Sequence, residues 1–529
     1  MPTPLTPIRF LYRAVDLFGK KTGVISGDRR FSYAEFGARC ERLASALRNE
    51  GLQAGDRVAY LSFNTHRLLE GYYGVVMAGA VVMPLNVRLS AVELTQILNH
   101  SGAKLLFFEN DFLPLVEHLR SGCSSIRKFV PLDGPVAEGG EHYEAFLERG
   151  SPGRVDWTGV DENSPAELFY TSGSTGTPKG VVLSHRTLYL HAMSVALLYE
   201  DGDRTVDLHT IPLFHANGWG HAHSATMLGA TQVMVRRFEP SSVFQLIQEH
   251  RATDMSLVPT MANALLNAPD RERYDLSSMK RIMIGGAASS PELIERMEKA
   301  FRCQVMAGYG LTETAPVLTV AKPKSTIQPA TEAERYRRQA MAGWPVPGVE
   351  IRVVDSQMRD VPRDMQTIGE IVARGDHLMT GYFQDPEGTA AVMTDGWFHT
   401  GDMAVWDEEG YVHIVDRKKE IIISGGENIS SLEIEKAICA HPDVYECAVV
   451  ACPDDTWGEV PAAIVYRKPG AELTTEALLE FLGTRLARFK LPRRIEFTSE
   501  PLPKTGTGKI RKLELRERFW AGKERRVQG

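Results

Sequence analysis

Short apolar runs that alternate with amphipathic helical patterns are the feature that most narrows the fold. "RVAYLSF" (57–63), "AVVMPLN" (80–86), "KLLFFEN" (104–110), "TQVMVRR" (231–237), "DMSLVP" (254–259) and "KRIMIGG" (280–286) are separated by helical stretches such as 91–101. Runs of this kind read as parallel strands joined by crossover helices, so the first half of the chain is expected to form α/β layers. Within "FSYAEFGARCERLASALRNEGL", Ser32 precedes Glu35 by three residues, apolar residues follow at helical spacing, and Gly51 ends the pattern. That is a capping box, an amphipathic helix and a glycine stop.

At 529 residues the chain is too long for one hydrophobic core. From about Gly343 short β-rich pieces with frequent glycine and proline predict antiparallel sheet. Past "DRKKEIIISGGENIS" come a helix over 431–440, the runs "ECAVVACPD" and "PAAIVYRK", a second helix over 474–488 and a lysine-rich tail. This reads as a small α+β domain of ordinary size. The expected domains are therefore 1–416 and 417–529, and 321–341 reads as a polar loop or helix. A net charge of −7 gives no support to a nucleic-acid partner. No stretch reaches the ~18 apolar residues of a membrane span, which leaves only peripheral membrane contact open. Without a secretory pattern at the start, and with six scattered cysteines, the expectation is a reduced, cytoplasmic protein.

One stretch departs from this ordinary texture. From Thr171 through Val181 stand three glycines, two serines, three threonines and a lysine, set between the strand-like "AELFY" and "VVLSH". Gly173, Gly176 and Gly180 permit tight turns and close approach. Thr171, Ser172, Ser174, Thr175 and Thr177 offer hydroxyls, and Lys179 a charge. Exposed N–H groups, hydroxyls and an ammonium together suit a polyphosphate. The spacing is not that of the Walker loop, because Pro178 precedes the lysine and Gly180 follows it. A generic Gly/Ser turn is the plain alternative.

"YTSGSTGTPKG" (170–180) closely resembles the phosphate-binding signature of the adenylate-forming superfamily, which includes acyl-CoA synthetases, peptide-synthetase adenylation domains and firefly-type luciferases. In the family's order the chain also carries "PLFHANGW" (212–219), "GYGLTET" (308–314), "GWFHTGD" (396–402), "DRKKEIIISGGENIS" (416–430) and "PKTGTGK" (503–509). The resemblance implies a large N-terminal domain of two α/β subdomains and a β-rich lobe, followed by a small mobile C-terminal domain. It also implies a chemistry. A carboxylate resists nucleophilic attack and has no good leaving group. ATP with Mg2+ converts it to acyl-AMP with release of pyrophosphate, and a thiol then displaces AMP. Catalysis of that kind rests on positioning and charge neutralisation.

The site residues follow from the resemblance. Thr171, Ser172, Gly173, Ser174, Thr175, Gly176 and Lys179 are implied at the phosphates, Gly286, Ala287, Tyr309 and Gly310 at adenine, Thr312 at a phosphate and Glu313 at magnesium. Asp402 and Arg417 are implied at the ribose. His215, Asn217, Trp219, Gly285 and Gly310 would line the acyl pocket, and Gly425, Gly426 and Glu427 the coenzyme A tunnel. Lys509 is the implied catalytic lysine, reaching the α-phosphate and carboxylate oxygens, with Thr312 and Glu313 as the other catalytic residues. Lys509 and Gly426 would take turns at one place, so the C-terminal domain is expected to rotate about the Asp416 junction between steps.

Amino-acid-activating relatives hold the substrate ammonium with an aspartate near 212–219, and "FHANG" has none, which disfavours an amino acid. The segment "RYRRQAMAGWPVPGVEIRVVD" resembles bacterial fatty acyl-CoA synthetases most. A medium- or long-chain fatty acid is thus expected, with aryl acids and short thioether acids as alternatives. Because no carrier module follows, free coenzyme A is the expected thiol; a ligase that loads an acyl carrier protein would share every motif. A decayed nucleotide-binding module should have lost Lys509, Glu313 or the glycine-rich loop, and all are present. A homodimer is left open.

Overall fold

The computed structural model describes residues 3–134, 140–171, 178–424, 427–454, 456–504 and 510–520. The chain divides into two compact units, 1–351 with 373–398, and 352–372 with 399–529. It passes from one to the other inside the strands Val349–Val354, Gly369–Gly375 and Trp397–Trp406. The expected cut between Asp416 and Arg417 falls within the strand Val412–Arg417. That strand pairs antiparallel with Trp397–Trp406, so a division at 416 would split a hydrogen-bonded pair.

The first unit is built on two sheets, as the alternation of apolar runs requires. In one, Gln304–Gly310, Arg281–Ile284, Asp254–Leu257, Val206–His209, Thr231–Met234 and Thr22–Ser26 run parallel in that order. In the other, Pro165–Thr171, Val81–Pro84, Arg57–Leu61, Leu105–Phe108 and Lys128–Pro131 run parallel. An antiparallel extension, Lys179–Ser184 and then Gly381–Tyr382, completes that sheet's edge. Helices cover the sheets, and most strand residues are apolar because both faces are buried.

Local signals hold where the sequence placed them. Ser32 caps the helix Tyr33–Asn49 in a complete capping box with Glu35, and Gly51 follows at φ +83°. The polar stretch 321–341 contains the helix Glu332–Gln339, started by Thr331.

In the second unit the strands Glu427–Ile429, Ile422–Ser424, Gly458–Arg467 and Val444–Asp454 lie side by side, and Arg494–Thr498 pairs parallel with Gly458–Arg467. The helices Ser431–Cys439 and Thr475–Gly483 bury Ile434, Ile438, Leu478 and Leu482 in a core shared with Val449 and Val465. Among the described residues no helix is long and apolar enough to cross a membrane.

Candidate active site

Parallel strands leave their C-terminal ends as the open edge of an α/β sheet, where ligands bind. Thr171 and Lys179, which flank the glycine-rich stretch, lie at such an edge. Thr171 ends one strand, Lys179 begins the next, and the two are cross-strand partners. Ser172, Gly173, Ser174, Thr175 and Gly176 lie outside the described residues. Gly180 is closely packed, since a Cβ there would come within 3.1 Å of Leu168 and Phe383.

Lys179 opens onto a group that the sequence did not reveal. Its Nζ lies 4.6 Å from the centre of the Tyr382 ring and 3.8 Å from Asp385 Oδ2. The Tyr382 hydroxyl donates to Glu313 Oε1 at 3.0 Å, and the Glu313 carbonyl accepts from the Met379 N–H at 2.8 Å. Burial and the nearby Glu313 carboxylate push the Tyr382 phenol well above its ordinary range, which keeps its proton on as a donor. Glu313 is thereby aimed by a neighbour 69 residues away. The only sequence trace of this is a tyrosine between Gly381 and Phe383 beside the Lys179 strand.

Glu313 follows the strand Gln304–Gly310 in a short 3₁₀ turn, Thr312–Thr314. Thr312 and Tyr309 are partly exposed at that strand end. Gly310 has no room for a side chain, because a Cβ would lie 1.7 Å from the Pro316 carbonyl oxygen. One strand over, a Cβ on Gly285 would come within 2.9 Å of the Gly308 carbonyl and 3.2 Å of the Trp219 ring. Gly286 has φ +75° and its Cβ position lies 3.4 Å from the same ring. The Trp219 indole therefore lies directly on the Gly285–Gly286 backbone. Ala287 is exposed beyond it.

The loop that presents Trp219 is left-handed throughout: φ is positive at Ala216, Asn217, Gly218, Trp219 and Gly220. Left-handed conformation costs a non-glycine residue roughly 1–2 kcal/mol, so the loop needs anchors. One is Asn217, fully buried, whose amide donates to Glu167 Oε2 at 2.8 Å. Glu167 also contacts His223 Nε2 at 2.6 Å, in the middle of the second sheet. Another is Gly220, where any Cβ would strike the His191 ring at 2.3 Å. The structure thus brings Trp219, Gly285 and Gly286 together. It sets the Asn217 side chain in the buried Glu167–His223 group and packs the His215 ring against Phe214, with centroids 4.7 Å apart.

In the second unit Asp402 and Arg417 are cross-strand partners, and Arg417 Nε meets Asp402 Oδ1 at 2.7 Å. Asp402 is buried while the Arg417 side chain is 44% exposed, so the carboxylate is held by a cation that reaches solvent. Glu427 begins a strand paired with Ser424 across 425 and 426. Gly425, Gly426 and Lys509 lie outside the described residues.

Comparison with known proteins shows the family. Residues 11–383 match the family description "AMP-binding enzyme", and 433–509 match "AMP-binding enzyme C-terminal domain". A long-chain fatty acid–CoA ligase of Thermus thermophilus is 41% identical over 522 residues, 96% of this chain and 95% of that protein. An acetate–CoA ligase of Humulus lupulus is 37% identical, covering 97% and 94%. A crystal structure of an anthranilate CoA ligase in complex with anthranoyl-AMP superposes with a TM-score of 0.89 at 25% identity, over 98% of both chains. The chain belongs to the AMP-binding enzyme family, within the acyl-CoA synthetase branch of the adenylate-forming enzymes, and is an acid–thiol ligase that uses ATP and coenzyme A.

Proposed function

We propose that the chain joins an apolar carboxylic acid, a medium- or long-chain fatty acid first among them, to coenzyme A through an acyl-AMP intermediate. The observation that carries the apolar character is the seating of Trp219 on Gly285 and Gly286. Indole and bare backbone make an uncharged wall, and 212–219 contain no acidic residue to pair with a substrate ammonium. The 41% identity to a long-chain fatty acid–CoA ligase supports the choice of a fatty acid.

In this reading the 171–177 backbone and hydroxyls and Lys179 hold the phosphates, and Tyr309 stacks on adenine with Gly286, Ala287 and Gly310 beside it. Glu313 fits magnesium: it is a hard oxygen ligand, aimed by the Tyr382 hydroxyl. Magnesium supplies charge withdrawal at the polyphosphate. Thr312 contacts a phosphate, and Asp402 with Arg417 holds the ribose. Lys509 neutralises charge as the carboxylate attacks; Gly425, Gly426 and Glu427 border the path of the pantetheine arm. In the expected division into 1–416 and 417–529, Lys509, Gly425, Gly426, Glu427 and the ribose contact Arg417 belong to the C-terminal domain and the remaining residues to the N-terminal one. Six free cysteines fit a reducing compartment and support a cytoplasmic location.

Coenzyme A-dependent AMP release across an acid panel tests the proposal. Octanoate or a longer acid should lead, with leucine and phenylalanine inert; a preference for either amino acid overturns it. The anthranilate ligase likeness favours aryl acids as the second reading, and benzoate preferred over every aliphatic acid would select it.

A further inference from the structure

The cysteines look scattered in the sequence, yet two of them meet in the second unit. Cys439 is the last residue of the helix Ser431–Cys439, Cys447 stands in the strand Val444–Asp454, and their sulfurs lie 3.4 Å apart. Cys439 is exposed and Cys447 is buried. A disulfide needs an S–S separation of about 2.05 Å, so the sulfurs must close by roughly 1.4 Å. Side-chain rotation at the final residue of a helix supplies that movement.

The rest of the helix is tied down. Asp416 Oδ2 accepts from the N–H groups of Ser431 and Leu432 at 2.5 and 3.3 Å. Glu435 Oε1 accepts from the Val449 N–H on the cysteine-bearing strand at 2.6 Å and lies 2.9 Å from Lys512 Nζ. The Cys447 thiol donates to the Glu435 carbonyl at 3.5 Å. The Asp416 bonds fix the helix start to the strand Val412–Arg417, and the Glu435 bonds fix the helix middle to the cysteine-bearing strand, so the two sulfurs are held as neighbours before any covalent bond forms.

We propose that Cys439 and Cys447 are a redox-modification site, at which a hydroperoxide joins them in an intramolecular disulfide that a low-molecular-weight thiol reopens. Cys439, the more exposed of the two residues, reacts first. Its contact with the Cys447 thiol holds Cys439 below the usual thiol range, while the same contact and burial push Cys447 up. The Cys439 thiolate attacks one peroxide oxygen and the O–O bond breaks, leaving Cys439 as the sulfenic acid. The departing hydroxide takes the proton that Cys439 had released and becomes water. Cys447 sulfur then attacks Cys439 sulfur, the S–O bond breaks, and the second hydroxide leaves as water with the Cys447 proton. Two thiols lose two electrons and one hydrogen peroxide gains them. The bond staples the end of the helix to the strand.

The test uses the full chain with an excess of hydrogen peroxide, quenched with catalase, alkylated with N-ethylmaleimide and mapped by mass spectrometry without reduction. The expected result is one cross-link between the Cys439 and Cys447 peptides, with loss of both N-ethylmaleimide adducts and full return of both after dithiothreitol. In Cys447→Ser, dimedone should trap a sulfenic acid at Cys439. Cys439→Ser should give neither the link nor a dimedone adduct at Cys447, and Cys303→Ser should leave the link unchanged. Three outcomes overturn the proposal: sulfinic acid at Cys439 with Cys447 still reduced, a link that forms only in urea, or no oxidation at either residue. Because the unmodified chain decides the central point, a variant that folds poorly does not remove the test.

Discussion

Tyr382→Phe removes one oxygen and keeps the ring, so it separates the hydrogen bond to Glu313 from the ring's contact with Lys179. A hydrogen bond to a charged acceptor contributes about 1.5–3 kcal/mol net. Glu313 is only partly buried, so water can replace part of the lost bond and the lower figure applies. At ~1.4 kcal/mol per factor of ten, the variant should lose about tenfold in the adenylation step. Acid-dependent ATP–pyrophosphate exchange without coenzyme A, run across a magnesium series, measures this directly. The loss should be largest at limiting magnesium and shrink as magnesium rises, because a less constrained Glu313 is a weaker ligand. The Tyr382→Phe/Glu313→Gln double variant should lose less than the sum of the two single losses, since both single changes break the same contact. An unchanged rate and magnesium dependence, in a protein that melts like the parent, would refute the assignment of Glu313 as the metal ligand aimed by Tyr382.

Asp402→Ala should raise the ATP Michaelis constant more than it lowers kcat, because a ribose contact is made alike in ground and transition states; an unchanged constant in a folded variant removes Asp402 from the site. Lys509→Ala should lose a hundredfold or so in acyl-AMP formation yet still convert supplied acyl-AMP to thioester, whereas Gly426→Leu should do the reverse; equal loss of both steps in each variant contradicts separate roles. Gly310→Ala puts a Cβ 1.7 Å from the Pro316 carbonyl and should cost about 3 kcal/mol in urea unfolding, while Gly153→Ala, with nothing within 4 Å, should unfold like the parent. Burial holds the His185 imidazole down to about 4 from 6.5, so below pH 6.5 the unfolded chain takes up a proton that the folded one refuses. Stability should therefore fall as pH drops from 6.5 towards 4, by about 1.4 kcal/mol per pH unit from this residue, and His185→Gln should flatten the measured slope by that amount.

The α/β layers were legible because a short apolar run between helical patterns has few other places to go. Strands at Arg57–Leu61, Val81–Pro84, Leu105–Phe108, Asp254–Leu257 and Arg281–Ile284 all fall inside runs read from the sequence. The Ser32 capping box is local chemistry, three residues across, and local chemistry survives folding. Tyr382, Asp385 and Glu167 were not legible. Their roles depend on partners brought in by the fold: Tyr382 on Glu313 through the Gly381–Tyr382 edge strand, Asp385 on Lys179, and Glu167 on Asn217 in the left-handed loop and His223 in the helix His221–Leu228. Cys439 and Cys447, eight residues apart, looked unrelated for the same reason, because a helix end and a strand had to be laid side by side first.

Glycine shows where sequence reading mixes two messages. Gly285, Gly286 and Gly310 were read as places where backbone approaches adenine or an acyl chain. The structure supplies a second cause for each: the Gly308 carbonyl and the Trp219 ring against Gly285, a positive φ at Gly286, and the Pro316 carbonyl against Gly310. Losing activity on substitution there would not by itself report a ligand, since the strand end would move first. Trp219 is the cleaner probe. Its left-handed loop is anchored by Asn217 and Gly220, on either side of it in the chain, so shortening the indole leaves the anchors in place and changes the wall it forms on the glycine pair. A Trp219→Ala variant that folds and keeps its ATP Michaelis constant, but shifts the order of preferred acids, would place that wall at the acyl chain. An unchanged order of acids would leave Trp219 as packing alone.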